Sequence, residues 1–123
     1  MFEVTVRGRF EAAHQLRLGE EAIEPLHEHN WRVAVTFAGP RVDSAGMLID
    51  FEQTRRRLDE LLEAMNDHNL NALPSFAGQS PSAELVAKYV ADALNISLPD
   101  GVRLACVEVE EKPGCLARYR PTS

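Results

Sequence analysis

The tightest constraint on the fold is an alternation. In "FEVTVRGRF" the apolar residues Phe2, Val4 and Val6 fall on every second position, and "NWRVAVTFAG" repeats the pattern with Trp31, Val33, Val35 and Phe37. Residues two apart share one face of a strand, so each segment offers one face to a core and the other elsewhere. The pattern predicts two strands, from Phe2 to about Ala13 and from Asn30 to Gly39, paired as antiparallel neighbours.

Between them and the C-terminal strands the period changes. In "DFEQTRRRLDELLEAM", Phe51, Leu58, Leu61, Leu62 and Met65 share one helical stripe, and Asp50 with Gln53 three residues on reads as a capping box. A loop rich in Asn, Pro, Gly and Ser follows; Ser80 then reads as the N-cap and Pro81 as the first position of a second helix to about Asn95, burying Leu85, Tyr89, Val90, Ala93 and Leu94. "VRLACVEVEEKPGCLARYR" reads as two strands around a turn at Pro113 and Gly114. Ala105, Val107, Val109 and Glu111 have one parity there, so Glu111 is an inward carboxylate if the apolar parity faces the core.

The order ββααββ predicts an α+β fold: a four-stranded antiparallel sheet with two helices on one face, in a single domain over residues 1–123. Such a sheet has two open edges, which predicts a homo-oligomer that continues it across subunits. A net charge of -6 argues against nucleic-acid binding. No apolar run approaches the roughly 20 residues of a membrane span, and the strand-like start has no leader pattern, so the expected compartment is the cytoplasm. The two cysteines, Cys106 and Cys115, lack a zinc or redox spacing and are expected to be reduced structural thiols.

The chemistry concentrates in "EPLHEHNW". His27 and His29 share a strand face, with Glu28 turned the other way, and the antiparallel partner strand can bring His14 alongside. Three histidines and an open position form the catalytic zinc pattern; ordinary part-buried histidines are the competing reading. A cupin barrel would need a glutamate about four residues after the pair, where Val33 and Ala34 stand.

Six motifs in order, "FEAAHQL", "LHEHNW", "GMLIDF", "DHNLN", "PSAEL" and "VEVEEKPGCLARY", resemble the 6-pyruvoyl-tetrahydropterin synthase and 6-carboxy-tetrahydropterin synthase family over nearly the whole chain. The resemblance implies a T-fold whose subunits, as trimers or hexamers, join sheets into barrels with active sites at the interfaces. It also implies Zn2+ held by His14, His27 and His29. Ile23 stands where family members with a catalytic cysteine carry it, whereas Glu24 matches a branch that carries glutamate three residues before the histidine pair. That branch resembles zinc-dependent lyases that make 6-hydroxymethyl-dihydropterin from dihydroneopterin or its triphosphate. By the same resemblance Glu24 is the catalytic base, Asp67 and His68 a proton relay, Glu111 the pterin anchor and Ser82 a weaker substrate contact.

The chain departs from the family pattern in three places. Glu28 replaces the glycine of HGH, Lys112 replaces a threonine after Glu111, and "DHNLN" is one residue short, so an ungapped match puts Asn66 and Asp67 at the relay positions. A synthase activity with another base, or a non-catalytic zinc protein that binds pterins or purines, are the competing functions.

Overall fold

The computed structural model describes residues 1–122. Strand β1 (Phe2–His14) is followed by two short strands, β2 (Arg17–Leu18) and β3 (Glu21–Ala22), which form an exposed ribbon of their own. Next come β4 (His27–Gly39), helix α1 (Phe51–Glu63) and β5 (His68–Asn69). Two 3-10 turns (Leu70–Ala72 and Pro74–Phe76) lead to α2 (Ala83–Leu94), β6 (Arg103–Lys112) and β7 (Cys115–Tyr119).

The predicted pairing of the first two long strands runs their whole length, from Phe2 opposite Gly39 to His14 opposite His27. β6 lies antiparallel to β4, and β7 to β6. The expected four strands become five, in the order β5-β1-β4-β6-β7, and the sheet is mixed because β5 runs parallel to β1 at Ala12 and Ala13. Two residues are too few to carry a period, so the sequence gives no sign of β5. Among the described residues, β1 from Phe2 to Glu11 has no strand partner on its outer side.

The apolar parity builds the core. Val6, Phe10 and Ala12 of β1, Trp31, Val33, Val35 and Phe37 of β4, and Leu104, Val107 and Val109 of β6 are buried beneath the helices. Fully burying one such side chain stabilises the fold by about 1.5–3 kcal/mol. α1 packs on β1, and α2 on β6 and β7. Gly8 permits the α1 approach: a Cβ there would lie 2.6 Å from Leu62 Cδ1.

The helices depart from expectation in detail. Asp50 caps α1 by accepting from the Glu52 and Gln53 N–H groups, and Leu58 and Leu62 are buried as predicted. Phe51 is exposed, because periodicity identifies a face but not how far the sheet's cover extends along it. Ser82, not Ser80, caps α2, accepting from the Leu85 N–H at 3.2 Å. Ser80 instead accepts from the Arg17 N–H and donates to the Arg17 carbonyl. The buried face of α2 is Val86, Ala87, Val90, Ala91 and Leu94; Val90 and Leu94 are as expected, while Leu85, Tyr89 and Ala93 flank that stripe and are only part-buried.

Two irregularities set the β6 side chains. Between Thr36 and Phe37 the register slips at Ala105, so Leu104 and Val107 both face inward. Near the hairpin, Glu110 opposes Leu116 and Lys112 opposes Cys115, which leaves Glu111 as the extra residue. Gly114, at φ +85°, turns the chain into β7. Both cysteines are free thiols, but Cys115 is exposed on this hairpin instead of buried. Among the described residues no helix is long and apolar enough to cross a membrane.

Candidate metal centre

The parity that buries Trp31 and Val33 puts His29 and His27 on the same face of β4, beyond the end of the apolar core. The register places His14 of β1 opposite His27, so three imidazoles meet where two strands end together. Their rings stand edge-on, with centroids 4.7 Å apart for His14 and His27, 5.4 Å for His14 and His29, and 4.6 Å for His27 and His29. From β6, Glu111 reaches in with Oε1 2.7 Å from His14 Nε2 and 3.9 Å from His29 Nε2. One donor atom from each of these four residues lies within 4.8 Å of the others.

Backbone carbonyls fix two of the rings. His14 Nδ1 is 2.8 Å from the Pro81 carbonyl and His27 Nδ1 is 2.8 Å from the Pro25 carbonyl. A carbonyl only accepts, so in each neutral ring Nδ1 holds the proton and Nε2 presents a lone pair to the cluster. The two Nε2 atoms are 3.1 Å apart. Burial is the main reason that the His29 pKa lies below its ordinary value; Glu111 raises it, while His27 and His14 lower it further. A set of neutral imidazoles and one carboxylate suits a divalent ion of the zinc class, and the tautomers here are the ones such an ion needs.

Trp31 forms the floor. Its indole stands edge-on to His14 at 4.8 Å and to His29 at 6.0 Å, stacks on Phe10, and donates through Nε1 to the Ala12 carbonyl at 3.1 Å. The alternation marks Trp31 as a core residue, but a strand pattern cannot show that this residue also supports the cluster. The carbonyls of Pro25 and Pro81 were equally hidden, since a backbone acceptor leaves no mark in side-chain chemistry.

Glu24 sits at the rim, its Oε1 3.9 Å from His27 Nε2. The same oxygen accepts from the Leu16 N–H at 2.9 Å, and Gln15 Nε2 donates to the Glu24 carbonyl. These bonds hold the loop before β4 against the end of β1. Ile23 beside it is exposed, and neither cysteine belongs to the cluster. Glu28 is exposed on the opposite face, opposite Ala13.

Asp67 and His68 lie elsewhere. Asn66 accepts from the Glu11 N–H, Asp67 donates its N–H to the Glu11 carbonyl, and His68 pairs with Ala12 on the outer edge of β1. Both are exposed, Asp67 has a left-handed φ of 60°, and His68 Nδ1 donates to the Asn66 carbonyl at 2.7 Å. Neither residue belongs to the four-residue cluster. Ser82 has its hydroxyl engaged in capping α2, next to the Pro81 carbonyl that orients His14. Glu110, the other carboxylate of the β6 turn, faces Arg32 at 3.9 Å and accepts from the Gly114 N–H.

Comparison with known proteins finds one family along nearly the whole chain. The family model described as 6-pyruvoyl tetrahydropterin synthase matches residues 3–122. The 6-carboxy-5,6,7,8-tetrahydropterin synthase of Synechocystis is 36% identical over 115 residues, covering 89% of this chain and 86% of that protein. Among solved structures, the 6-pyruvoyl tetrahydropterin synthase of Caenorhabditis elegans superposes with a TM-score of 0.83 at 24% identity, over 99% of this chain and 98% of that one. A Plasmodium vivax 6-pyruvoyltetrahydropterin synthase, solved with a catalytic glutamate replaced by alanine, superposes at 0.79 with 18% identity, over 98% and 97% of the two chains. At these identities the structural likeness establishes the fold.

Proposed function

The chain belongs to the 6-pyruvoyl tetrahydropterin synthase family, and from that premise we propose that it is a zinc-dependent pterin lyase that cleaves dihydroneopterin or its triphosphate to 6-hydroxymethyl-dihydropterin. The observation that carries this reading is Glu24, a carboxylate 3.9 Å from His27 at the rim of a cluster that contains no thiol. The glutamate described as catalytic in the Plasmodium vivax relative supports it.

His14, His27 and His29 would hold the zinc, which when bound supplies a Lewis acid that acidifies the hydroxyls of the substrate's side chain. Glu24 takes the proton of the second side-chain hydroxyl. The bond between the first and second side-chain carbons then breaks. Its electron pair passes into the pterin ring, and the second carbon leaves as the aldehyde of the departing fragment. A proton delivered by the Asp67 and His68 relay lands on the first carbon and completes the hydroxymethyl product. No oxidant or reductant is needed. Glu111 pairs its two oxygens with adjacent N–H groups of the pterin's amino-pyrimidinone edge, and Ser82 is a further contact.

The separation of His68 from the cluster supports a shared site, in which one subunit supplies the zinc ligands and its neighbour the relay. The partnerless outer edge of β1 supports sheet continuation across that boundary in a homo-oligomer.

The second reading, a 6-carboxy- or 6-pyruvoyl-tetrahydropterin synthase activity with a different base, is favoured by the Synechocystis relative. Mass spectrometry of the products from dihydroneopterin and from its triphosphate separates the two. A hydroxymethyl product is expected; a carboxy or pyruvoyl product establishes the second reading, and pterin binding without product removes both. Glu24→Gln is expected to cut turnover by at least about a hundredfold, the usual contribution of a general base, with one zinc per chain retained. Loss of the metal from this variant would make Glu24 a ligand instead.

A further inference from the structure

The pterin-anchor role leaves one feature of Glu111 unexplained: its carboxylate points at the histidines. Nδ1 of His14 and of His27 donates to a proline carbonyl, so the neutral rings aim unprotonated Nε2 atoms at each other across 3.1 Å. Into this gathering of lone pairs Glu111 brings a carboxylate oxygen, 2.7 Å from His14 Nε2 and 3.9 Å from His29 Nε2. Such acceptors repel one another unless a proton or a metal cation lies among them.

The spacings fit that cation. Donors arranged tetrahedrally at about 2.0–2.1 Å from zinc stand about 3.3 Å from each other. Separations of 2.7, 3.1 and 3.9 Å straddle this value, and all four donors lie within 4.8 Å of one another. Glu111 is also the extra residue of the bulge between β6 and β7, with no cross-strand partner, so its side chain can change direction without disturbing the strand ladder. It is part-exposed, with 23% of its side chain accessible, whereas His14 beside it is buried.

We propose that Glu111 is the fourth ligand of the resting metal centre, and that a pterin opens this centre by drawing the carboxylate onto its own N–H edge. A carboxylate oxygen bound to the metal is not free to face the ring, so recognition of the ring and access to the metal are linked through one side chain. With Glu111 drawn away, His14, His27 and His29 would remain to hold the metal, leaving room beside it for the substrate's side-chain hydroxyl. Without a pterin the metal would have four protein ligands. This inference rests on the zinc reading above and adds the gating by Glu111.

Metal affinity and cobalt spectroscopy test it without recourse to turnover. Zinc competition against a chromophoric chelator is expected to show at least a tenfold weaker affinity in Glu111→Ala and in Glu111→Gln, since even loss of a residue that only orients a ligand costs that much. The cobalt-substituted parent is expected to show the intense visible absorption of a four-coordinate ion, and dihydroneopterin is expected to alter it. Both variants are expected to have the altered coordination before any pterin is added. Unchanged zinc affinity and an unchanged cobalt spectrum in both variants would overturn the proposal, leaving Glu111 as a substrate residue alone. If the parent itself takes up neither zinc nor cobalt, the underlying zinc reading fails, and that is visible without either variant.

Discussion

His14 and His68 both lie at the end of β1, one on the strand and the other paired across its edge at Ala12, yet their surroundings are opposite. His14 is fully buried, oriented by the Pro81 carbonyl, held edge-on by Trp31, and placed by a strand pairing that runs the length of the sheet. His68 is exposed on a two-residue strand, after a residue in left-handed conformation. The contrast separates two demands on a catalytic site. A metal needs donor atoms fixed to fractions of an ångström, which the ends of long paired strands provide. The relay proposed for His68 would need access to a neighbouring subunit, which an exposed sheet edge would allow.

The largest effect should come from the buried side of this comparison. His14→Ala should abolish stoichiometric zinc binding and lower stability by about 2–5 kcal/mol, the usual range for truncating a large buried side chain. Metal analysis and denaturant unfolding read both; retained zinc would show that the cluster does not depend on its most constrained member. His68→Ala should keep one zinc and fold with a stability within about 0.5 kcal/mol of the parent, as exposed substitutions do, while losing turnover. Mixing its subunits with those of an inactive His27→Ala variant should restore part of the activity. Failure of the mixture, with each variant assembled normally, would put the relay and the metal in separate systems. The smallest effect is local: Ser82→Ala should cost about 1 kcal/mol through loss of the α2 cap. A fall in pterin affinity in the same variant would support the proposed substrate contact of Ser82, and unchanged affinity would leave it a helix cap alone.

The same contrast decides what was legible in the sequence. The alternation in β1 and β4 specifies the pairing, and with it the common face of His27, His29 and the core, because period two leaves no other choice once one face is buried. The inward parity of Glu111 was legible too, although the bulge that frees it was not, since an extra residue in a strand leaves no compositional sign. β5 escaped notice because two polar residues carry no pattern. "SPS" offers two serines that can cap a helix, and tertiary contacts with Arg17 decide which one does. Glu24 was visible as a carboxylate near the histidines; its bond to the Leu16 N–H, which holds the β4 approach in place, depends on a contact between separate segments.

Trp31 is the only tryptophan in the chain, and its buried indole touches two of the three histidines. The protein therefore contains an optical gauge of its own centre. A paramagnetic ion seated among those imidazoles, such as cobalt or copper, would extinguish the emission of Trp31 at close range, whereas zinc with its filled d shell would not. The identity of any metal added to the cluster could thus be followed in the unlabelled protein by fluorescence.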